Sequence, residues 1–347
     1  MLSRDLSTLE RELASAYRAL APFLGVRPAN AQAEHLRLVE AWTNGRADRP
    51  RWQYAAVDTG AASMALNRAD LALRNLRSHP LVECYEARLA ELFSELTIIR
   101  AAGTPQLGRA SAARFPLRAD LKPLAAAWAS LPPPQETDAS VGSIATWLRT
   151  LIGELRLPFR VEETDQISAL AATGDDVVYV ARSRRVNERV ARRTAVHEVY
   201  GHALPRARAM RQPLLIFRFG TAGGHDDQEG YALCREEEQG LLDDGRRREI
   251  GSRWLAVQEM QSGASFVEVA RSTLARGFGL DDALRLASRV FRGSDGNTGG
   301  VGRESAYLEG YEHVRMADPE SLRVIAHGQI ACVWAQSLKP FVNYVDQ

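Results

Sequence analysis

The feature that most constrains this chain is a pair of histidines, His197 and His202, five residues apart within a long helical pattern. The six residues of the segment read HEVYGH, and the helical pattern runs from about residue 186 to residue 204. On a regular α-helix, side chains four apart differ in direction by about 40°, whereas side chains five apart differ by about 140°. We therefore predict a π-bulge between the histidines, because an i→i+5 turn returns both imidazoles to one face. Gly201 would ease this distortion of the backbone.

Two imidazoles on one face of a helix suit zinc as ligands. The carboxylate of Glu198, which follows the first histidine, would then lie beside the metal and act as a general base. A catalytic zinc ion takes three protein ligands and keeps a fourth position for water, so another element must supply the third ligand. Glu229, in the segment QEGYA near the start of a further predicted helix, is our candidate. Spacing alone leaves four competing donors open: His225, Asp226, Asp227 and Glu236. Glu236 lies two helical turns beyond Glu229 and could share its face.

The composition excludes several classes of protein. The 347 residues include 44 Lys and Arg against 43 Asp and Glu, so no global charge points to nucleic acid or a membrane as a partner. No window reaches the ~18 continuous apolar residues of a membrane span, and the N-terminus has no apolar signal core. Cys84, Cys234 and Cys332 give no disulfide framework and no metal knuckle, so we expect ordinary thiols in a cytoplasmic protein.

The pattern of the chain changes near residue 135. A run of prolines there follows a part that reads as helical, so we predict a helical N-terminal region (1–135) and a catalytic domain (136–347). Apolar periodicity predicts helices over 5–25, 30–43, 61–78, 80–102 and 142–156. Short β-branched segments predict strands over 159–164, 176–182 and 213–219.

The fold class that follows is a mainly helical α+β protein. We expect a small mixed β-sheet packed on the helix that carries HEVYGH. Two strands before a metal-bearing helix are typical of zincin-type metallopeptidases, so we expect a zincin-like core behind the helical N-terminal region.

Motifs spread over most of the chain resemble those of one family. HEVYGH followed by QEGYA is similar to the HExxxH and QEGLA motifs of the microtubule-associated tyrosine carboxypeptidases and their bacterial relatives, the flavohaemoglobin expression-modulating QEGLA-motif proteins. RPRWQY at 49–54, the periodic helix at 81–99, Arg292-Gly293 and GRESAYLEG at 302–310 also fit that family. Two departures, Tyr231 for a leucine and Glu304-Ser305 for an aspartate, leave the metal ligands intact and concern the substrate.

The resemblance implies a zinc metallocarboxypeptidase that removes one residue from the C-terminus of a peptide or protein. His197, His202 and Glu229 would bind one zinc ion, and Glu198 would activate a water molecule as general base. The oxyanion that forms on attack needs a second hydrogen-bond donor. Family placement favours Tyr307 for that role, and three alternatives remain open: Tyr200, Tyr231 and His225.

A carboxypeptidase must also bind the terminal carboxylate, and the guanidinium of arginine matches its two oxygens. Arg182, Arg292 and Arg303 are our candidates, with His225 as a further substrate-binding residue and Arg185 and Arg189 as further options. The strand at 176–182 is either an edge on which an extended peptide could pair or an internal strand of the sheet, and the sequence leaves both placements open.

Two other functions fit the same residues. One is an endopeptidase or a pathway-specific peptide-maturation protease, and the other is a regulatory protein that keeps zinc without turnover. Glu198 favours an enzyme, because a protein that only binds zinc needs no base beside the metal.

Overall fold

The structure, a computed structural model, describes residues 4–20, 24–76, 78–133, 141–165, 167, 169–182, 184–297 and 299–344. The chain divides into two compact units, of which the first comprises Met1–Pro133 and Asp244–Leu308. The second comprises Pro134–Asp243 and Glu309–Gln347. The predicted domain boundary at 135 lies outside the described residues, so the division into 1–135 and 136–347 stays a prediction.

Helices make up most of the described residues, as the sequence predicted. Those of the first half are α1 (Arg4–Leu20), α2 (Ala31–Thr43), α3 (Gly60–Leu73), α4 (Val82–Arg100), α5 (Leu107–Arg114), α6 (Lys122–Ala129) and α7 (Ile144–Glu154). Those that follow are α8 (Glu188–Val196), α9 (Leu204–Ala209), α10 (Ile216–Phe219), α11 (Gly224–Glu238), α12 (Asp244–Gln261), α13 (Phe266–Ala275), α14 (Leu280–Val290), α15 (Ala306–Arg315), α16 (Pro319–Ile325) and α17 (Cys332–Leu338). The strands are β1 (Val141–Gly142), β2 (Arg160–Thr164), β3 (Ala171–Thr173), β4 (Val177–Ala181) and β5 (Val186–Asn187).

The first unit is helical among its described residues. Helix α1 shows why the sequence pattern was informative, since Leu6, Leu9 and Leu13 recur at helical spacing and are all buried. This apolar face packs against α3. The described part of the predicted N-terminal helical region is therefore confirmed as helical.

The second unit contains the sheets. Strand β4 lies between β2, with which it pairs in parallel, and β3, with which it pairs antiparallel. This confirms a small mixed sheet and the strands predicted at 159–164 and 176–182. The placement of strand 176–182 at an edge open to a peptide is wrong, because both edges of β4 are already paired. The edge positions belong to β2 and β3, and the short β1 pairs separately with β5.

The core of the second unit surrounds the HEVYGH segment. Val178 and Val180 of the central strand pack in one apolar cluster with Leu148 of α7 and with Val199 and Ala203 of the HEVYGH segment. The sheet and the helix that carries the histidines thus share a core, as predicted. This packing fixes the position of the segment from its apolar side.

The segment 213–219, predicted as a strand, is instead a turn followed by helix α10. Nearly every position of this segment is apolar, and four of its side chains are buried: Leu214, Ile216, Phe217 and Phe219. A short continuous apolar run fits a buried helix turn as well as a buried strand, and periodicity cannot separate the two.

Within the described ranges, no helix has both the length and the apolar character that crossing a lipid bilayer requires.

Candidate metal centre

The HEVYGH segment is a π-helix. It spans His197–Ala203 between α8 and α9, and the amide of Leu204 donates to the carbonyl of Val199, an i→i+5 bond. The π turn brings the Nε2 atoms of His197 and His202 to 3.4 Å from each other. The predicted bulge is confirmed, and it has the predicted effect of placing both imidazoles on one face.

Helix α11 brings a third donor to the histidines. The Oε2 atom of Glu229 lies 3.4 Å from Nε2 of His197 and 3.8 Å from Nε2 of His202. The three side chains, His197, His202 and Glu229, each offer one possible ligand atom, and these atoms all lie within 4.8 Å of one another. Among the described residues, no other group of side chains could hold a metal ion in this way. The competing donors lie outside this group, and two of them have identified partners. Glu236 contacts the other nitrogen of His197, and Asp227 accepts a hydrogen bond from the backbone of Cys332.

Small residues explain how α11 reaches the π-helix. A side-chain methyl at Gly201 would overlap the Cβ of Ala232 and lie 2.8 Å from its Cα. A methyl at Gly230 would overlap the backbone of Gly310. The glycine and alanine of QEGYA therefore allow close backbone approach on two sides of α11, and Glu229 lies three residues before the alanine that contacts the π-helix.

The spacing of the three donors fits a tetrahedral metal ion. Zinc binds imidazole nitrogen and carboxylate oxygen at about 2.0–2.2 Å, which separates neighbouring ligands of a tetrahedron by about 3.3–3.6 Å. The observed separations of 3.4, 3.4 and 3.8 Å are close to that range. Two imidazoles and one carboxylate are also a donor set that suits zinc better than magnesium or calcium.

The electrostatics of the site favour a positive charge between these side chains. Burial lowers the pKa of His197, but hydrogen bonds to Glu229 and Glu236 outweigh burial and raise that pKa to about 9. Burial lowers the pKa of His202, so its imidazole stays neutral at pH 7, the form that binds metals. Three carboxylates, those of Glu198, Glu229 and Glu236, surround the two rings.

Glu198 follows the first histidine and is buried. Its Oε2 accepts a hydrogen bond of 2.7 Å from Oγ1 of Thr173, the last residue of β3. Arg206 donates to the carbonyls of Thr173 and Gly174, the latter at 2.7 Å, and so ties β3 to helix α9. The sequence carries no signal for Thr173 and Arg206, because no spacing rule links a three-residue edge strand to a helix about 25 residues away.

The candidate oxyanion donors have different surroundings. Tyr231 is buried, with the guanidinium of Arg235 4.7 Å from its ring centroid, and Tyr200 packs partly against the apolar core of the second unit. Tyr307, the second residue of helix α15, belongs to the first unit, and the guanidinium of Arg253 lies 5.0 Å from its ring centroid.

The candidate substrate-binding residues also differ. Arg182 is exposed, lies 3.4 Å from Asp165 and donates to a backbone carbonyl. Arg292 and Arg303 belong to the first unit and flank its glycine-rich loop. Burial lowers the pKa of Arg292 to about 10 against the opposing effect of Glu304, and within the described part of the chain its buried Nε atom has no hydrogen-bond partner. His225 lies in the first turn of α11, four residues before Glu229.

These features define a class of site: two histidines of a π-helix and one glutamate of a neighbouring helix that could hold a metal ion, with a buried glutamate beside them. The profile of the microtubule-associated tyrosine carboxypeptidase family matches residues 42–343. The chain belongs to this family, which confirms the resemblance carried by HEVYGH and QEGYA and indicates a carboxypeptidase-type protein. No curated protein matches the chain.

Proposed function

We propose that this protein is a zinc-dependent metallocarboxypeptidase that removes the C-terminal residue of a peptide or protein. The observation that carries the proposal is the convergence of His197, His202 and Glu229 at separations that suit one tetrahedral ion. Family membership supports the carboxypeptidase assignment. A zincin-like arrangement of sheet and metal-bearing helix is part of this proposal, and the cytoplasmic location stays a prediction.

Zinc, when held by these three residues, would supply a Lewis acid that polarises the scissile carbonyl and lowers the pKa of a water molecule. The protein supplies the proton transfer. The carboxylate of Glu198 would accept a proton from the attacking water and deliver it to the nitrogen of the departing amino acid. The hydrogen bond from Thr173 is compatible with that role. It occupies Oε2 of Glu198 and orients the carboxylate, so the proton would be accepted by the other oxygen, Oε1.

The remaining substrate contacts are proposals from the sequence. Tyr307 would donate to the developing oxyanion, and Arg182, Arg292, Arg303 and His225 are the candidates for binding the substrate. Among the arginines, the Nε atom of Arg292 is buried without a hydrogen-bond partner in the described residues, whereas Arg182 already lies in a surface ion pair.

The test combines metal content with product analysis. The purified protein should contain one zinc ion per chain, and a peptide library with varied C-terminal residues, including tyrosine, should lose single residues from that end by mass spectrometry. Glu198→Gln should abolish hydrolysis and keep zinc. Glu238→Gln, at an exposed position of α11, is the matched control and should keep both.

Each other outcome has a defined meaning. Internal cuts would indicate an endopeptidase instead of a carboxypeptidase. Zinc without hydrolysis of any peptide would favour a regulatory protein. Hydrolysis that survives Glu198→Gln would refute the role of Glu198 as base.

A further inference from the structure

Glu236 contacts the metal-binding histidine on the side of the ring that faces away from the metal-binding group. Its Oε1 lies 2.8 Å from Nδ1 of His197, while Nε2 of the same ring faces Glu229 and His202 at 3.4 Å. The Glu236 side chain is fully buried. One imidazole is therefore held at both nitrogens by different groups.

The chemistry of the ring decides what this contact does. A neutral imidazole carries one N–H, and the other nitrogen has a lone pair that can bind a metal. A carboxylate is an acceptor only, so the Glu236 contact requires the hydrogen on Nδ1 of His197. In the neutral ring, which is the form that binds a metal, this leaves the lone pair on Nε2, the atom that faces the other two donors.

Helix α11 accounts for the arrangement. Glu229 and Glu236 are seven residues apart, which places both on one face of the helix, two turns from each other. The first reaches Nε2 of His197 and the second reaches Nδ1, so the ring is fixed against one face of α11. Within the described residues, no carboxylate contacts Nδ1 of His202, so this orientation is specific to one histidine.

A buried charge such as that of Glu236 lowers stability unless it is paired and hydrogen-bonded. A simple apolar contact would pack α11 against the π-helix at a lower free-energy cost. An acceptor at this position is explained by the hydrogen that it fixes on the histidine. Carboxylates behind metal-binding histidines commonly fix the tautomer, orient the ring and raise the basicity of the ligand.

We propose that Glu236 is a positioning residue that holds His197 in the Nδ1–H tautomer and so prepares Nε2 to bind the metal. This inference rests on the proposed metal centre. It assigns to Glu236 a role distinct from the direct ligation that spacing had left open.

The experiment measures zinc affinity by competition with a chromogenic chelator, for the full-length chain and two variants on the same helix. Glu236→Gln keeps the size of the side chain and removes its charge, and its amide can also donate to Nδ1 and favour the wrong tautomer. We expect zinc affinity to fall by about 10–100-fold. Glu238→Gln, at an exposed position two residues away, should leave affinity unchanged.

Two further measurements separate positioning from a structural role. The melting temperature of the metal-free Glu236→Gln variant reports folding, and a merely structural residue would lower it while the folded fraction bound zinc normally. Long-range ¹H–¹⁵N spectra of the zinc-loaded wild-type protein report the tautomer of His197 directly and require no folded variant.

Unchanged zinc affinity in a folded Glu236→Gln variant, or an Nε2–H tautomer in the zinc-loaded wild-type protein, would overturn the proposal. A wild-type protein that binds no zinc would overturn the metal centre and this role with it. Failure to hydrolyse any peptide would count against the carboxypeptidase assignment alone, because neither readout uses activity.

Discussion

Gly201 offers a sharp test of how the centre is assembled. In Gly201→Ala, the new methyl would lie 2.8 Å from the Cα of Ala232 and overlap its Cβ. Two nonbonded carbon atoms attract most strongly at a separation of about 3.5–4.0 Å. Relieving the contact with the Cα alone therefore requires α11 and the π-helix to separate locally by at least about 0.7–1.2 Å, and the overlap with the Cβ requires more. Overpacking of this kind typically costs about 1–3 kcal/mol.

The same displacement would move Glu229, which lies three residues before Ala232 on α11. Metal–ligand distances tolerate only about 0.2 Å of error, so a shift near 1 Å should impair zinc binding as well as folding. At about 2–4 °C per kcal/mol, we expect the melting temperature to fall by several degrees. Zinc affinity should fall in the fraction that remains folded.

The control is the same substitution at Gly153 in α7, where a methyl would meet no atom within 4 Å. Gly153→Ala should raise stability slightly, because alanine favours a helix over glycine by about 1 kcal/mol. Adding Ala232→Gly to Gly201→Ala should restore part of the loss, since it removes the overlapping Cβ. Scanning calorimetry and chelator competition measure both effects. A Gly201→Ala variant that melts and binds zinc like the Gly153→Ala control would refute the described contact.

Three further predictions concern single side chains. Thr173→Val removes the hydrogen bond to the carboxylate of Glu198, so kcat should fall about 10–100-fold, the equivalent of losing about 1.5–3 kcal/mol, while zinc content stays at the wild-type level. His202→Ala removes one of three ligands and should abolish stoichiometric zinc binding in a chain that still folds, as circular dichroism would report. Burial raises the pKa of the Cys84 thiol to about 12. Cys84 should therefore resist iodoacetamide at about pH 8 in the folded protein and react after denaturation. Modification of Cys84 in the folded chain would show that the packing around this thiol opens.

The spacing of side chains along a helix was enough to predict the backbone of the HEVYGH segment. Angular arithmetic alone required a bulge between His197 and His202, and the structure has a π-helix there. The third ligand needed more than arithmetic, because five acidic or imidazole side chains lay within reach of the same loop and helix. The resemblance to QEGLA selected Glu229, which the geometry then placed with the two histidines.

Tertiary pairing accounts for what the sequence did not reveal. A strand pattern carries no information about which neighbours a strand will have, so the edge and internal placements of β4 both stayed open, and the structure has β4 in the middle of its sheet. Glu236 had the right residue type and the right face for a ligand. Only the orientation of the His197 ring shows that Glu236 meets the other nitrogen.

The π-helix also bears on how the length of this motif can change. Its i→i+5 bond from Leu204 to Val199 accommodates one more residue than a regular turn. Deleting one residue between the histidines, with Gly201 kept for its contact with Ala232, would convert HExxxH to HExxH and the bulge to ordinary helix. The two imidazoles would still lie one turn apart, and α9 would keep its rotation relative to α8. An insertion in α8, by contrast, would turn His197 by about 100° away from Glu229. A one-residue deletion inside the motif is therefore tolerable, whereas a one-residue insertion in α8 is disruptive.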